Sequence, residues 1–144
     1  MEATEICKEV FGAKLIDAEY IDEYAPPKSE FPWHYGNDAV KLTFDNGKIL
    51  VFTHKQDCCE SVHFSSSDYP ITDMIGETVT KIEMRTERND PNDKYMSETW
   101  SFIYIHTNKD VNVMKWQGSS NGWYSETPDW IYEGEEESDP DEVN

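Results

Sequence analysis

The sequence predicts an α+β domain that is built mainly from antiparallel β-sheet, and three observations support this fold class. Alternating apolar residues flank an Asn46-Gly47 pair, which is typical of a β-hairpin. A second pair of alternating segments follows later in the chain, and only one short segment near the N-terminus has apolar residues at helical spacing. With 144 residues and 37% hydrophobic side chains, the chain has material for one hydrophobic core.

The short helix is expected over residues 3–11. Ile6 and Val10 would share one side of it, and Gly12 follows as a stop signal. The next element is expected to be a strand over residues 14–20.

The first hairpin is expected over residues 39–53, with Asn46 and Gly47 as a two-residue turn. That turn predicts three cross-strand pairs, namely Phe44 with Ile49, Leu42 with Val51, and Val40 with Thr53. Because Leu50 and Phe52 are also apolar, the second strand is expected to be covered on both faces near the middle of a sheet.

The second hairpin is expected over residues 99–116, with Asn108 and Lys109 at its turn. Its register would place His106 opposite Val111 and Tyr104 opposite Val113. A further strand is expected over residues 78–86, after a helical turn at residues 71–75 that ends at Gly76. The loops are then residues 24–38 and 87–97, which are rich in turn-forming residues.

The charge of the chain is the strongest indication of its partners. It carries 30 Asp and Glu against 12 Lys and Arg, a formal net charge of −18. Such a surplus favours a basic protein surface and disfavours nucleic acid and anionic membranes. Seven of the acids lie in residues 133–144 with one apolar side chain, so we expect a disordered acidic tail after a single domain over residues 1–132.

The remaining composition predicts a cytoplasmic protein. We find neither an apolar stretch of transmembrane length nor a signal segment in the sequence. Three cysteines, two of them adjacent, fit no disulfide framework, so reduced thiols are expected.

The densest group of reactive side chains lies between His54 and His63, with the spacing H-x3-C-C-x3-H. Its other members are Asp57, Cys58, Cys59 and Glu60. Zinc is disfavoured, because neither a strand nor a helix brings all four ligands to one face. A cysteine nucleophile is disfavoured by the surplus of acids around the thiols. The favoured interpretation is that a cysteine packs as a small apolar residue while the acids brace a turn. No metal, cofactor or catalytic residue is expected.

The segment from Gly118 to Gly122 predicts a tight loop between strands. A phosphate cradle is disfavoured there, because the spacing matches no phosphate-binding motif. The favoured interpretation is a hairpin loop with Trp116, Trp123 and Tyr124 packed or half packed beside it.

Residues 47–126 resemble a family of small proteins of unknown function that tailed bacteriophages encode. The most specific parts are the Asp57-Cys58-Cys59-Glu60-Ser61-Val62 segment and the segment containing Ser119, Asn121, Gly122, Trp123, Tyr124, Ser125 and Glu126. The resemblance implies a viral origin and the cytoplasm of an infected bacterium as the location. It implies no activity.

The function expected from these features is an acidic inhibitor, not an enzyme, that binds a host protein and uses DNA mimicry as one mode. Nuclease, CRISPR, restriction or other DNA-binding machinery would be its target. Expected contacts are Glu30, Trp33, Tyr35, Asp38, Glu87, Asp90, Asp93, Tyr95 and Glu98. The alternatives are a binder that uses an aromatic patch, a nucleotide-signal sponge with a pocket around residues 118–122, and a small cysteine-dependent enzyme.

Overall fold

A computed structural model describes residues 2–27, 29–89 and 96–135 of the protein. These residues form nine β-strands and three short 3-10 helices. The strands are β1 Thr4–Glu5, β2 Leu15–Ile21, β3 Ala39–Phe44, β4 Ile49–Thr53, β5 Ser61–Ser67, β6 Val79–Asn89, β7 Ser97–Thr107, β8 Val111–Ser120 and β9 Asp129–Tyr132. The 3-10 helices are Lys8–Val10, Pro32–His34 and Ile71–Met74.

The strands form two antiparallel sheets. One has five strands in the order β1-β6-β7-β8-β5, and the other has four in the order β2-β3-β4-β9. One core takes buried side chains from both sheets, including Phe44 and Phe52 from the smaller sheet and Ile103 and Trp116 from the larger. The two sheets therefore form two layers around a common core, and each fully buried side chain of this size contributes about 1.5–3 kcal/mol.

Strand β4 is covered on both faces, as predicted. It lies between β3 and β9, with Leu50 and Phe52 in the common core. Val51 points the other way, into a smaller cluster with Tyr24 and Ala39. The loop that carries Tyr24 thus covers the outer face of the smaller sheet.

The second hairpin is confirmed, including its register. His106 pairs with Val111 and Tyr104 pairs with Val113, and the Thr107 amide donates to the carbonyl of Asp110 at 2.8 Å. The strands predicted over residues 14–20 and 78–86 are also confirmed, as β2 and β6. So is the helical turn that ends at Gly76, whose φ is +94°.

The first hairpin is present, but its predicted register is wrong by one residue. Leu42 pairs with Leu50, and Thr43 pairs with Ile49. The reason is a three-residue loop in place of the two-residue turn. The Phe44 amide donates to the Lys48 carbonyl at 2.9 Å, and Gly47 takes a φ of +89°. A type I turn followed by a left-handed glycine gives this geometry, and the Asn-Gly pair does not distinguish it from the shorter turn.

The predicted N-terminal helix is wrong. Thr4 and Glu5 pair with β6 as strand β1, and a single 3-10 turn follows at Lys8–Val10. A nine-residue segment is too short to hold an α-helix unless tertiary packing favours it, and here the edge of β6 offers backbone hydrogen bonds instead. In the described residues no helix reaches seven residues, so the fold is mainly β. None of the described helices is long and apolar enough to cross a membrane.

Besides β1, two strands were not predicted, and one predicted loop is largely strand. β5 is rich in serine and β9 has four residues, so neither has a clear apolar alternation. Gly118, expected in a loop, lies inside β8, which continues to Ser120. The loop itself follows Ser120.

The folded part extends beyond the predicted boundary at residue 132. The Glu133 amide donates to the Ile49 carbonyl at 2.9 Å, and its carboxylate accepts a hydrogen bond of 2.7 Å from the hydroxyl of Tyr24. Lys41 forms an ion pair with the same carboxylate at 3.4 Å. The rest of the predicted tail, residues 136–144, lies outside the described residues.

We predict that two truncations have different effects. A chain that ends at Glu135 should keep its melting temperature, because the removed residues contain one apolar side chain. A chain that ends at Tyr132 should lose about 1–3 kcal/mol, because the buried hydroxyl of Tyr24 loses its acceptor. Thermal denaturation of both proteins checks this, and equal melting temperatures would contradict the structural role of Glu133.

We predict that Gly118→Ala destabilises the domain. A Cβ at this position would lie 2.0 Å from the backbone carbonyl oxygen of Glu126, so the segment that crosses β8 here must move. The expected loss is about 1–3 kcal/mol, as for other overpacked sites. Urea titration of the variant and the wild type measures this loss. The control is Gln117→Ala, one residue away on the half-exposed face of β8, which should lower the free energy of unfolding by less.

Candidate binding site

The two segments that are most distinctive in the sequence meet in the structure. Ser61 in β5 pairs with Ser119 in β8. The Cys58-Cys59-Glu60 segment enters β5 at the point where β8 leaves the sheet and the Asn121–Glu126 segment begins. Antiparallel pairing of two strands therefore brings together segments that lie about sixty residues apart in the chain.

The first segment is held by a buried carboxylate. Glu60 accepts hydrogen bonds from the backbone amides of Asp57 at 2.9 Å and Cys58 at 2.8 Å, which bends the chain around it. The side chain of Gln56 donates to the same carboxylate at 3.2 Å. The turn after β4 is thus braced by Glu60, as the sequence indicated, while the side chain of Asp57 is exposed.

His54 supplies the charge that balances Glu60. Its Nε2 lies 2.8 Å from the Glu60 carboxylate, and its Nδ1 lies 2.9 Å from the Thr127 carbonyl oxygen. The Asp129 carboxylate is 3.4 Å from Nδ1. With Glu60 ionised, every partner is an acceptor, so both ring nitrogens must donate and His54 is an imidazolium.

The pKa values of the pair follow from these contacts. Burial lowers the pKa of His54, but its hydrogen bonds to Asp129, Glu60 and Thr127 outweigh this and raise it above 6.5. Burial raises the pKa of Glu60, but the hydrogen bonds from His54 and two amides outweigh this and lower it below 4.5. The two side chains therefore form a buried ion pair at mildly acidic pH, between the ordinary pKa values of a glutamate and a histidine.

The second segment is held by another buried carboxylate. Glu126 accepts hydrogen bonds from the hydroxyls of Ser97, Thr99 and Ser120, the one from Thr99 at 2.8 Å. These donors outweigh burial and lower the pKa of Glu126. The Ser120 hydroxyl oxygen also accepts a hydrogen bond of 2.9 Å from the Gly122 amide. The loop is thus held near its start by Ser120 and at its end by Glu126.

Cys58 and Cys59 are joined by a disulfide, so the expectation of reduced thiols is wrong for this pair. Both residues are exposed, so neither packs as an apolar core residue. The sequence indicated otherwise because three cysteines with an adjacent pair fit no ordinary disulfide framework, whereas this bond joins the two consecutive residues themselves. The third cysteine, Cys7, is buried and free.

A cavity of about 210 Å³ lies between the two segments. Its wall is formed by Cys59, Glu60, Ser61, Met96, Ser119, Ser120, Asn121 and Tyr124. Trp123, on the same loop as Tyr124, is 83% exposed, so the prediction that it packs beside the loop is wrong. Met96 is 49% exposed. A concave site is thus accompanied by large apolar side chains that the described part of the chain leaves exposed.

The chemistry of this site favours binding over catalysis. Both ring nitrogens of His54 are engaged, so it has no lone pair for a metal ion or for accepting a proton. His63 has a different partner, the Asp38 carboxylate at 3.3 Å. In the described ranges no cluster of three His, Cys, Asp or Glu side chains is suited to a metal ion.

The predicted partner contacts differ in exposure. Asp38 is buried and accepts hydrogen bonds from the Phe64 amide and the Tyr20 hydroxyl, so its predicted role as a surface contact is wrong. Tyr35 is half-buried against Tyr24. Glu98 is half-buried, with Gln117 3.4 Å away.

The remaining predicted contacts are exposed or not described. Glu30 and Glu87 are exposed, and Trp33 is 64% exposed beside His34. His34 and Gln56 exchange backbone and side-chain hydrogen bonds, which fixes the Trp33 segment against the loop that Glu60 braces. Asp90, Asp93 and Tyr95 lie outside the described residues.

Sequence reasoning missed two features of the surface. Met96 carries no pattern that marks it. An acidic edge is formed by four exposed acids on or just after β2, which are Asp17, Glu19, Asp22 and Glu23. The sequence could have predicted this edge, because β2 was expected to be a strand and four acids fall within seven residues of it. Charged side chains are typical of edge strands.

We predict that the ion pair gives the protein a defined pH dependence. The contribution of His54 is full below pH 6.5 and falls as pH rises through its raised pKa. The contribution of Glu60 is full above pH 4.5 and falls as pH drops through its lowered pKa. The free energy that His54→Gln removes, about 3–5 kcal/mol, should therefore be largest between pH 4.5 and 6.5 and shrink at alkaline pH.

Thermal denaturation of the wild type and His54→Gln across this range measures the difference. The control is His63→Gln, whose imidazole is 54% exposed and lies 3.3 Å from the Asp38 carboxylate. It should cost less than 1 kcal/mol, roughly, at any pH. A His54→Gln difference that stays constant with pH would show that His54 is neutral.

The comparisons with known proteins give a family and no function. The family model described as "Domain of unknown function (DUF7448)" matches residues 8–130. No curated protein and no solved structure matches the chain. Because the family match covers more than half of the chain, including both segments of the candidate site, the protein belongs to the DUF7448 family.

Proposed function

We propose that the protein is a phage-encoded acidic inhibitor that binds a host protein, and that the cavity and Trp123 are its docking surface. The observation that carries this proposal is the 210 Å³ cavity between the two distinctive segments, beside a tryptophan that is 83% exposed. Tryptophan is among the residues most often found at the energetic centre of protein interfaces.

The way the site is held supports binding. Glu60 fixes one wall of the cavity and Glu126 fixes the loop of the other, each by several hydrogen bonds. A surface that is ordered before it meets its partner loses less conformational entropy on binding. The buried carboxylates therefore serve to pre-organise the docking surface.

Charge selects the class of partner. The net charge of −18 attracts a basic protein surface and speeds the encounter with it. A phosphate group is disfavoured in the cavity, because Glu60 is in its wall and Glu126 lies directly behind Ser120. This argues against the nucleotide-signal sponge.

A second candidate function is DNA mimicry through the acidic edge. Asp17, Glu19, Asp22 and Glu23 are exposed along one edge of the smaller sheet, where they would match a groove that holds phosphates. This edge and the cavity belong to different sheets, so substitutions separate the two modes. The cysteine-dependent enzyme has less support, because the two exposed sulfurs are bonded to each other and His54 is locked in an ion pair.

We predict that Trp123→Ala weakens binding to the host target by about 2 kcal/mol or more, roughly 30-fold in Kd, without lowering the melting temperature. The matched control is Trp33→Ala, the same change at another exposed tryptophan. The target is first captured from host lysate and identified, and Kd values are then measured by calorimetry with the purified target.

The acidic edge is tested with the triple variant Asp17→Lys, Glu19→Lys, Asp22→Lys. Its control reverses three other exposed acids, Glu2, Asp68 and Asp73, none of which is an expected partner contact. Several reversals are needed because one exposed ion pair is worth about 0–1 kcal/mol. If only the edge variant loses binding, and DNA competes with the protein for the target, the protein binds by DNA mimicry through the acidic edge and not through the cavity and Trp123. Unchanged binding in all variants would refute both modes.

A further inference from the structure

We propose that the Cys58–Cys59 disulfide is a reversible thiol–disulfide exchange site, which small neutral or cationic thiols open and the corresponding disulfides close while the domain stays folded. This proposal does not depend on the identity of the host target. It rests on the position of the bond, on the contacts that hold its loop, and on the charge around it.

The bond is accessible to a small molecule. Cys58 and Cys59 are both exposed, and Cys59 forms part of the wall of the open cavity. The third cysteine is separated from this chemistry, since Cys7 is 5% exposed and burial raises the pKa of its thiol to about 12. The chain thus has two sulfurs that can exchange and one that cannot.

The bond does little to hold the fold together. A disulfide stabilises a protein mainly by closing a loop of the unfolded chain, and this effect grows with the number of residues in the loop. Cys58 and Cys59 are adjacent, so no residue lies between them. The disulfide therefore adds almost nothing to the stability of the fold. A bond that opens and closes reversibly does not have to add any.

The loop keeps its other restraints when the bond opens. The amides of Asp57 and Cys58 donate to the Glu60 carboxylate, and Gln56 donates to the Cys58 carbonyl at 3.1 Å. None of these hydrogen bonds involves a sulfur atom. Because Glu60 is itself fixed by His54, the bend around it can persist in the dithiol form.

The exchange is a two-electron reaction between thiols and disulfides. A thiolate attacks one sulfur of the pair, forms a mixed disulfide and releases the other cysteine as a thiolate, which takes up a proton. A second thiol then attacks the small-molecule sulfur, which leaves two protein thiols and one small-molecule disulfide. Two thiols are oxidised and one protein disulfide is reduced, and the reverse sequence closes the bond.

Charge selects the thiol. Asp57 is exposed beside the bond and the chain carries a net charge of −18, so an anionic thiol such as glutathione is repelled. Cysteamine, which is cationic, is attracted. The consequence of opening is local, because one covalent bridge in the cavity wall becomes two separate thiols.

Alkylation and intact-mass spectrometry of the full chain test the proposal. Protein treated with cystamine and then denatured should take up one iodoacetamide group, at Cys7. Protein reduced with cysteamine should take up two groups while native, and a third only after denaturation. Its melting temperature should stay within a few degrees, and renewed treatment with cystamine should restore the single uptake.

A variant and a rate comparison complete the test. Cys58→Ser cannot resolve a mixed disulfide, so cystamine should leave one stable adduct on Cys59. The rate at which each thiol opens the wild-type bond is divided by the rate at which the same thiol reduces an uncharged small disulfide. This corrected rate should be severalfold higher for cysteamine than for glutathione, and added salt should bring the two corrected rates closer together. Uptake of three groups by cystamine-treated, denatured protein would overturn the proposal. So would a bond that opens only after unfolding, or equal corrected rates.

Discussion

The structure of the candidate site depends on the buried ion pair between His54 and Glu60. Two charges at 1% and 0% side-chain exposure carry a large desolvation cost, which is offset only when every lone pair and proton finds a partner. Here the carboxylate receives the imidazolium, two amides and a glutamine side chain, and the imidazolium reaches a carbonyl on its other side. The chain after β4 therefore has one low-energy path, and this path presents the Cys58–Cys59 pair at the surface.

Glu126 is likewise a buried carboxylate whose burial is offset by hydrogen bonds, here from hydroxyl groups on β7 and β8. Its backbone crosses β8 at Gly118, where a Cβ would lie 2.0 Å from its carbonyl oxygen, so the glycine permits a contact that no other residue allows. Together with Asp38, these glutamates show that part of the acid in this chain is internal. The formal charge consequently overstates the acidic surface, and an argument for mimicry must be made from exposed residues such as those on β2.

The sequence predicts the strands whose apolar alternation is strong, and for the hairpin at Asn108 and Lys109 it also predicts the register. It fails where two local geometries share one signal. The Asn46-Gly47 pair suits both a two-residue turn and a three-residue loop with a left-handed glycine, and the structure has the second. In the site, the role of Glu60 follows from its place after a strand end. The cavity does not, because it depends on the β5–β8 pairing, and β5 has no apolar alternation. The disulfide does not either, because adjacent cysteines fit no ordinary disulfide framework.

Charge alone is a poor guide to the docking surface proposed above. Acidic side chains are spread over both sheets, since exposure is the least costly state for a carboxylate. The cavity, by contrast, requires a bend fixed by Glu60, a crossing at Gly118 and a loop tied to Glu126, each of which uses a buried polar group or a tight backbone contact. A surface that only dissolved the domain would need none of these. The concentration of such constraints around one 210 Å³ cavity is the physical reason to place binding there before the acidic edge.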